Sequence, residues 1–240
     1  CCTARTWDSI SAAARSSSTR LVDFIGGRGV ASFSNNGPHR FSGGLGTRID
    51  ETLKQALGVK GEPESIASAM RNANPHYSRA YSEYSENCQR AVVAYELRRR
   101  GYKVSAQPTY KGDKVGEIAY VDRKNGIYKS RWTRAFSNAK TEYVGAGTGQ
   151  KMIAKVDSKM AEYGNGSRAV LQVMWRNGGA HVFNLERQNG KTLYIDAQRN
   201  KRYTAAEIQK RAKPGSVNIV RTDNLRISDR AKDSVTSRKY

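Results

Sequence analysis

Three side chains of this 240-residue chain have the chemistry of a nucleophilic site: Cys88, His181 and Asp196. Cys88 is the only cysteine away from the chain start, where Cys1 and Cys2 stand side by side. It lies in Ser85-Glu86-Asn87-Cys88-Gln89-Arg90, where a helix is expected to begin. A thiol is a weak nucleophile at neutral pH and a thiolate a strong one. The positive end of a helix and a neighbouring imidazole both favour the anion. His181 is the expected base, taking the thiol proton and later handing it to a leaving amine. Asp196 is the expected acid that holds the ring in one tautomer. Negative charge developing on a carbonyl oxygen calls for N–H donors. The backbone N–H of Cys88 and the amides of Asn87, Gln89 and Gln198 are the candidates.

Each residue also has a simpler explanation. A lone internal cysteine is most often a small buried hydrophobe. A strand histidine is commonly a hydrogen-bonded structural residue, and an aspartate ending a strand commonly serves a turn. What favours chemistry is their conjunction. Asn189-Gly190 is a strong hairpin signal between the runs Ala180–Glu186 and Thr192–Ala197. A two-residue turn pairs Gln188 with Lys191, which sets Phe183 opposite Asp196 and His181 opposite Gln198. Side chains alternate faces along a strand, so His181, Phe183, Asp196 and Gln198 share one side. His181 and Asp196 become diagonal neighbours with backbones about 7–8 Å apart, near enough for an imidazole–carboxylate hydrogen bond. A slip of one residue would place them on opposite faces.

The elements that must carry these residues are legible in outline. Glu86 to Arg100 is rich in helix formers, ends in three arginines that suit a helix C-terminus, and is stopped by Gly101. Tyr102 to Ala106 reads as a strand. Tyr110 to Gly149 is polar, with Trp132 and Phe136 as its anchors. Met152, Val156 and Met160 mark a helix closed by Gly164. Ala169 to Trp175 is apolar enough for a central strand, and Val217 to Arg221 is expected to be the last strand. Helices followed by consecutive antiparallel strands predict an α+β fold, with the nucleophile helix packed on an antiparallel sheet. Residues 1–71 read as an N-terminal arm or linker with short helices at Thr6–Ala14, Ile49–Leu57 and Ile66–Met70, and a brief apolar contact at Leu21–Ile25. Residues 72–225 are the expected catalytic domain and 226–240 a basic tail.

The chain carries 42 basic against 21 acidic residues, a formal charge of +21. Such an excess attracts polyanions such as nucleic acid or acidic membrane, and equally serves to keep solvated faces soluble. With no zinc finger, RNP pattern or basic zipper, a nucleic-acid contact would be to phosphate rather than to bases. Its expected carriers are Arg199-Asn200-Lys201-Arg202, Lys210-Arg211-Ala212-Lys213 and the arm before residue 48. No apolar run reaches the length of a membrane helix, and no basic-then-apolar leader is visible. The start at Cys1-Cys2 rather than methionine predicts a piece of a longer or processed polypeptide. Three cysteines supply no disulfide framework. With only His39, His76 and His181 and no CxxC, neither a zinc site nor another cofactor is expected.

Two segments near the nucleophile, Asn74-Pro75-His76-Tyr77 and Asn87-Cys88-Gln89-Arg90-Ala91-Val92-Val93-Ala94-Tyr95-Glu96-Leu97, carry a family resemblance. They resemble the nucleophile segment of papain-fold toxin domains of the glutamine deamidase type. Related domains occur at the ends of bacterial polymorphic toxins and of phage minor head proteins. Gly179-Ala180-His181-Val182-Phe183-Asn184 is similar to the family's histidine strand, and Tyr194-Ile195-Asp196-Ala197-Gln198 to its Asp-Pro-Gln motif. Ala197 replaces the proline of that motif, and Ala91 stands where many relatives have a second cysteine. The resemblance spans about residues 72 to 225. It implies a papain-like cysteine hydrolase in which Cys88 is the nucleophile, His181 the base, Asp196 the orienting acid and Gln198 a helper. The implied reaction is deamidation of a glutamine in a target protein, ahead of proteolysis or transamidation. A delivered effector, secreted or injected, with an immunity protein as partner would follow. Two rivals remain open: a virion or packaging protein that binds nucleic acid and uses the papain-like domain as scaffold, and a toxin nuclease built around His181.

Overall fold

A computed structural model describes residues 51, 53–113, 120–122, 127–144 and 147–237. The expected helix at Thr6–Ala14 and contact at Leu21–Ile25 lie outside the described residues, as does the arm before residue 48. Residues 53–57 are helical and end at Gly58, whose φ of +76° suits glycine. Three helices follow: α1 (Ile66–Ala73), the single turn α2 (Ser82–Ser85) and α3 (Cys88–Arg99). After β1 (Val104–Ala106) and the small hairpin β2 (Tyr120–Asp122) and β3 (Ile127–Lys129) comes a 3₁₀ turn at Arg131–Ala135. The rest comprises β4 (Glu142–Tyr143), α4 (Gly149–Tyr163), β5 (Arg168–Met174), β6 (Ala180–Gln188), β7 (Lys191–Asp196), β8 (Lys201–Tyr203), α5 (Ala205–Arg211), β9 (Asn218–Arg221), a 3₁₀ turn at Asp229–Asp233 and β10 (Val235–Ser237).

Six strands form one antiparallel sheet in the order β4-β9-β5-β6-β7-β8. The alternation of β5 shows why its sequence is apolar throughout. Val170 packs with α3, while Ala169, Leu171 and Val173 pack with α4 and α5. Each face of the sheet is thus covered by helix, and each has its own core. The α3 side gathers Val92, Leu97, Trp132, Val182 and Ile195. The other gathers Met152, Met160, Phe183, Leu185 and Ile208. Trp132 and Phe136 meet edge-on at 6.4 Å, so the polar stretch around them is anchored by aromatic contact as expected.

The packed residues run wider than 72–225. Leu57, Ala69 and Ala73 are buried in the α3-side core, because the apolar stripe of α1 lies against α3. The expected basic tail after 225 is also structured. Ala231 and Val235 are buried, and β10 pairs antiparallel with β1 through Val104 and Ser237. Short strands with one or two apolar residues carry too little pattern to be seen in sequence, and edge pairing supplies what the pattern lacks. Among the described residues no helix is long and apolar enough to cross a membrane.

Candidate active site

Cys88 is the first residue of α3, and Asn87 is its N-cap. Asn87 holds this position through a reciprocal amide pair with Asn74, the C-cap of α1. Asn87 Nδ2 donates to Asn74 Oδ1 at 2.9 Å, and Asn74 Nδ2 donates to Asn87 Oδ1 at 3.2 Å. Asn74 Nδ2 is also within 2.9 Å of the carbonyls of Tyr84 and Gln198. Gln198 Nε2 adds a 3.3 Å bond to Asn87 Oδ1. Three buried amides therefore tie the start of the nucleophile helix to the end of β7.

The hairpin register is the one that a two-residue turn requires. Gln188 pairs with Lys191 and Asn184 with Ile195. Asn189 and Gly190 both have positive φ, 49° and 73°, as a type I′ turn demands. His181 and Asp196 consequently share a face, and His181 Nε2 lies 2.9 Å from Asp196 Oδ2. The Cys88 thiol is close enough to the same ring to raise its basicity. Cys88 belongs to the same core as Ala180, Val182 and Ala197, the residues that flank His181 and Asp196 on the opposite face of their strands. The rings of Trp175, Phe183 and Tyr203 surround the imidazole at centroid distances of 6.1, 5.8 and 6.5 Å. The nucleophile thus comes from one face of the sheet and the imidazole–carboxylate pair from the other.

Burial and charge set the protonation of this cluster. Burial alone would lower the basicity of His181, but the Asp196 charge and hydrogen bond, followed by the Cys88 contact, outweigh it and raise the pKa to about 9. Burial alone would raise the Asp196 carboxyl. The His181 charge, hydrogen bonds from His181 and Tyr203, and the nearby Arg199 charge hold it below its ordinary value. At neutral pH the pair is imidazolium and carboxylate.

The three expected amide helpers have different surroundings. Both Nδ2 contacts of Asn87 are spent inside the protein, on Asn74 and on the carbonyl of Gln107 at 3.1 Å. Asn87 is therefore built into the helix anchor. Gln198 also braces that anchor. Gln89 accepts from the Trp132 backbone N–H at 3.1 Å, while its buried Nε2 has no hydrogen-bond partner among the described residues. Two residues to which the sequence reading assigns no role join the site. Tyr203 donates to Asp196 Oδ2 at 2.8 Å, and Asn74 anchors Asn87. Tyr203 sits on β8, in a run that reads as a basic patch. The signal next to it was Thr204-Ala205-Ala206-Glu207, a capping box in which Thr204 and Glu207 cap α5 reciprocally. That box marks a helix start and makes the residues before it a strand feeding a helix.

The expected polyanion carriers are partly committed to the fold. Lys201 pairs with Glu207 and lies over the Tyr203 ring, and Arg211 lies over the Trp175 ring at 4.6 Å. Among the described residues no group of three or more His, Cys, Asp or Glu side chains could hold a metal ion.

A cysteine at a helix tip, apposed to a histidine–aspartate pair on an antiparallel sheet, defines the papain-like class of α+β protein. Residues 86–201 match the family model described as papain fold toxin 1, glutamine deamidase, and this stretch of the chain is a papain-fold toxin domain. Comparison with curated proteins and with solved structures gave no match.

Proposed function

We propose that the chain is a cysteine-dependent amidohydrolase that converts a glutamine side chain of a target protein to glutamate. The family match supports the reaction class. The observation that carries the mechanism is the 2.9 Å bond between His181 and Asp196, with Cys88 at the first position of α3 near enough to influence the ring.

An imidazolium against the sulfur is the partner a thiolate nucleophile needs. Sγ adds to the carboxamide carbon, and the oxygen takes up the electron pair of the C=O bond in a tetrahedral intermediate. N–H groups in the first turn of α3, at the positive end of the helix dipole, face that charge. As the intermediate collapses, the C–N bond breaks and the proton on His181 goes to the departing nitrogen, releasing ammonia and leaving a thioester. Now neutral, His181 takes a proton from water as the water oxygen attacks the thioester. Collapse expels the sulfur, regenerates the imidazolium–thiolate pair and leaves glutamate. Proteolysis would use the same acyl-enzyme with a peptide amine leaving, so the two differ only in which amide enters the cleft.

The test uses a blocked Gln-Gly dipeptide as probe and measures ammonia release, with intact mass as the second readout. Deamidation adds about 1 Da without cleavage, by way of an acyl-enzyme. Cys88→Ala and His181→Ala should each abolish ammonia release while retaining the fold by circular dichroism. Peptide cleavage in place of the mass gain would assign the domain to proteolysis. Full activity of His181→Ala would remove the proposed base.

A further inference from the structure

The geometry points to a second site, at the opposite end of α3 from Cys88, that binds a small phosphate-bearing ligand. It is a surface cavity of about 480 Å³, within the size range of small-molecule pockets. Its polar wall is made by Lys60, Arg99, Arg100, Arg168 and Arg226, with Asp223 the single carboxylate. Along the helix axis Arg99 lies about 16 Å from Cys88, so the cavity is separate from the nucleophile.

The internal pairing of these cations leaves an excess of positive charge. Arg99 binds Glu186 at 2.7 Å, and Arg100 and Arg168 share Glu96 at 2.7 and 2.9 Å. Two buried carboxylates thus serve three arginines. Asp223 turns both oxygens toward Arg221 at 3.1 Å. Lys60 and Arg226 are exposed, and among the described residues neither has a carboxylate partner. Arg168 spends Nε and Nη2 on Glu96, and its Nη1 makes no hydrogen bond among the described residues. One inner guanidinium charge and two outer cations therefore face a shared space.

Arg99 and Arg100 spend all their guanidinium nitrogens inside the protein, on Glu186, Glu96 and the carbonyls of Glu64, Leu225 and Thr222, and so contribute charge alone. The donors left for a ligand are Arg168 Nη1, Lys60 and Arg226, a set that suits the several oxygens of a phosphate. Glu96 and Glu186 hold the inner arginines in place beforehand, which reduces the ordering cost of binding. The rest of the lining is apolar or aromatic, formed by Tyr102, Leu53, Pro63 and Ile227. That surface suits the organic part of a phosphate ester, with Tyr102 offering a ring face. The ligand class is a compact di- or polyphosphate, either inorganic or esterified to a nucleoside or sugar. Duplex nucleic acid does not fit a cavity of this size.

Titration calorimetry of the full chain with pyrophosphate and with ADP tests the site. At least one of them should bind, with Cys88→Ala unchanged in affinity. Tighter binding of ADP identifies an ester as the ligand, and equal binding identifies the phosphate groups alone. The double variant Lys60→Ala/Arg226→Ala removes the two exposed cations and should weaken binding at least about tenfold through lost charge-assisted hydrogen bonds. Lys151→Ala/Lys155→Ala, on the exposed face of α4, should stay within about twofold, since a distant charge is screened. No binding of either probe at millimolar concentration overturns the site. An equal loss in both double variants also overturns it, because the attraction would then be that of overall charge.

Discussion

Two donors meet on one oxygen of Asp196: the ring nitrogen of His181 at 2.9 Å and the hydroxyl of Tyr203 at 2.8 Å. Burial and then the Asp196 charge push the Tyr203 phenol up to about 12, so it remains a donor throughout the physiological range. His181 is raised from 6.5 to about 9, which fixes the sign of two pH effects. Stability from the imidazolium is fully present below the unfolded value and is lost as pH rises through the folded one. Turnover loses its proton donor over the same interval, so kcat/KM for the dipeptide probe should fall with a limb near pH 9. Asp196→Asn removes the charge that raises the ring. It should move that limb toward the ordinary histidine value and lower kcat/KM by roughly 10²–10⁴-fold. A limb that stays in place would mean that Asp196 does not set the protonation of His181. Tyr203→Phe should cost about 1.5–3 kcal/mol of unfolding free energy, read from urea midpoints, because a buried carboxylate loses a donor. The His181–Asp196 pair was legible in sequence because one turn, Asn189-Gly190, fixes its register. Tyr203 was not, since its neighbours Arg199, Lys201 and Arg202 give the run the appearance of solvated charge.

The helix that carries Cys88 owes little to amphipathic pattern, since every residue from Cys88 to Arg98 is buried. Its charged residues are accommodated by partners from other elements. Arg90 pairs with Asp113 and Arg98 with Glu64, while Glu96 receives Arg100, Arg168 and the Thr222 hydroxyl. From sequence, the arginines at the end of this helix suggest cations placed to suit the helix dipole. Arg99 and Arg100 instead neutralise Glu186 and Glu96 between helix and sheet, Arg168 joins Arg100 on Glu96 from far along the chain, and Arg98 pairs with Glu64. The same limit hid Asn74, whose amide reaches Asn87 across 13 residues and Gln198 across 124. Contacts of that separation leave no periodicity to read. Glu96→Gln should therefore be costly although it changes few atoms. It leaves two guanidinium groups sharing a neutral amide in a buried site, a loss of about 3–5 kcal/mol. Equilibrium urea unfolding checks this, and a change under 1 kcal/mol, roughly the worth of an exposed ion pair, would show that water reaches Glu96.

On the scale of the molecule, the site lies where two cores meet. Cys88 belongs to the core under α3, and the rings around His181 belong to the core under α4 and α5. Strand alternation accounts for this, because β6 sends Ala180 and Val182 to one side and His181 and Phe183 to the other. The β6–β7 hairpin, the strands β5 and β9 and the stop of α4 follow from apolar runs, a turn and a glycine that sequence displays, whereas β4, β8 and the order of the six strands do not. Nor does the meeting of the cores, because it depends on how α3 is set against the strand ends by the Asn74–Asn87 pair. One consequence is that the reactive groups are sealed, with Cys88 1% and His181 5% exposed. Reaction with a macromolecular glutamine therefore requires the covering residues to part. Iodoacetamide labelling reads this step directly, since it needs the sulfur in contact with solvent. Labelling of Cys88 in the native chain should be slower than that of a peptide thiol at the same pH, and it should accelerate in urea concentrations below the unfolding transition as local opening becomes more populated. Asn74→Ala, which removes the brace between α1 and the tip of α3, should speed native labelling in the same way. Labelling at the peptide rate without urea would mean that the sulfur faces solvent in the resting protein, and entry of substrate would then need no opening of the two cores.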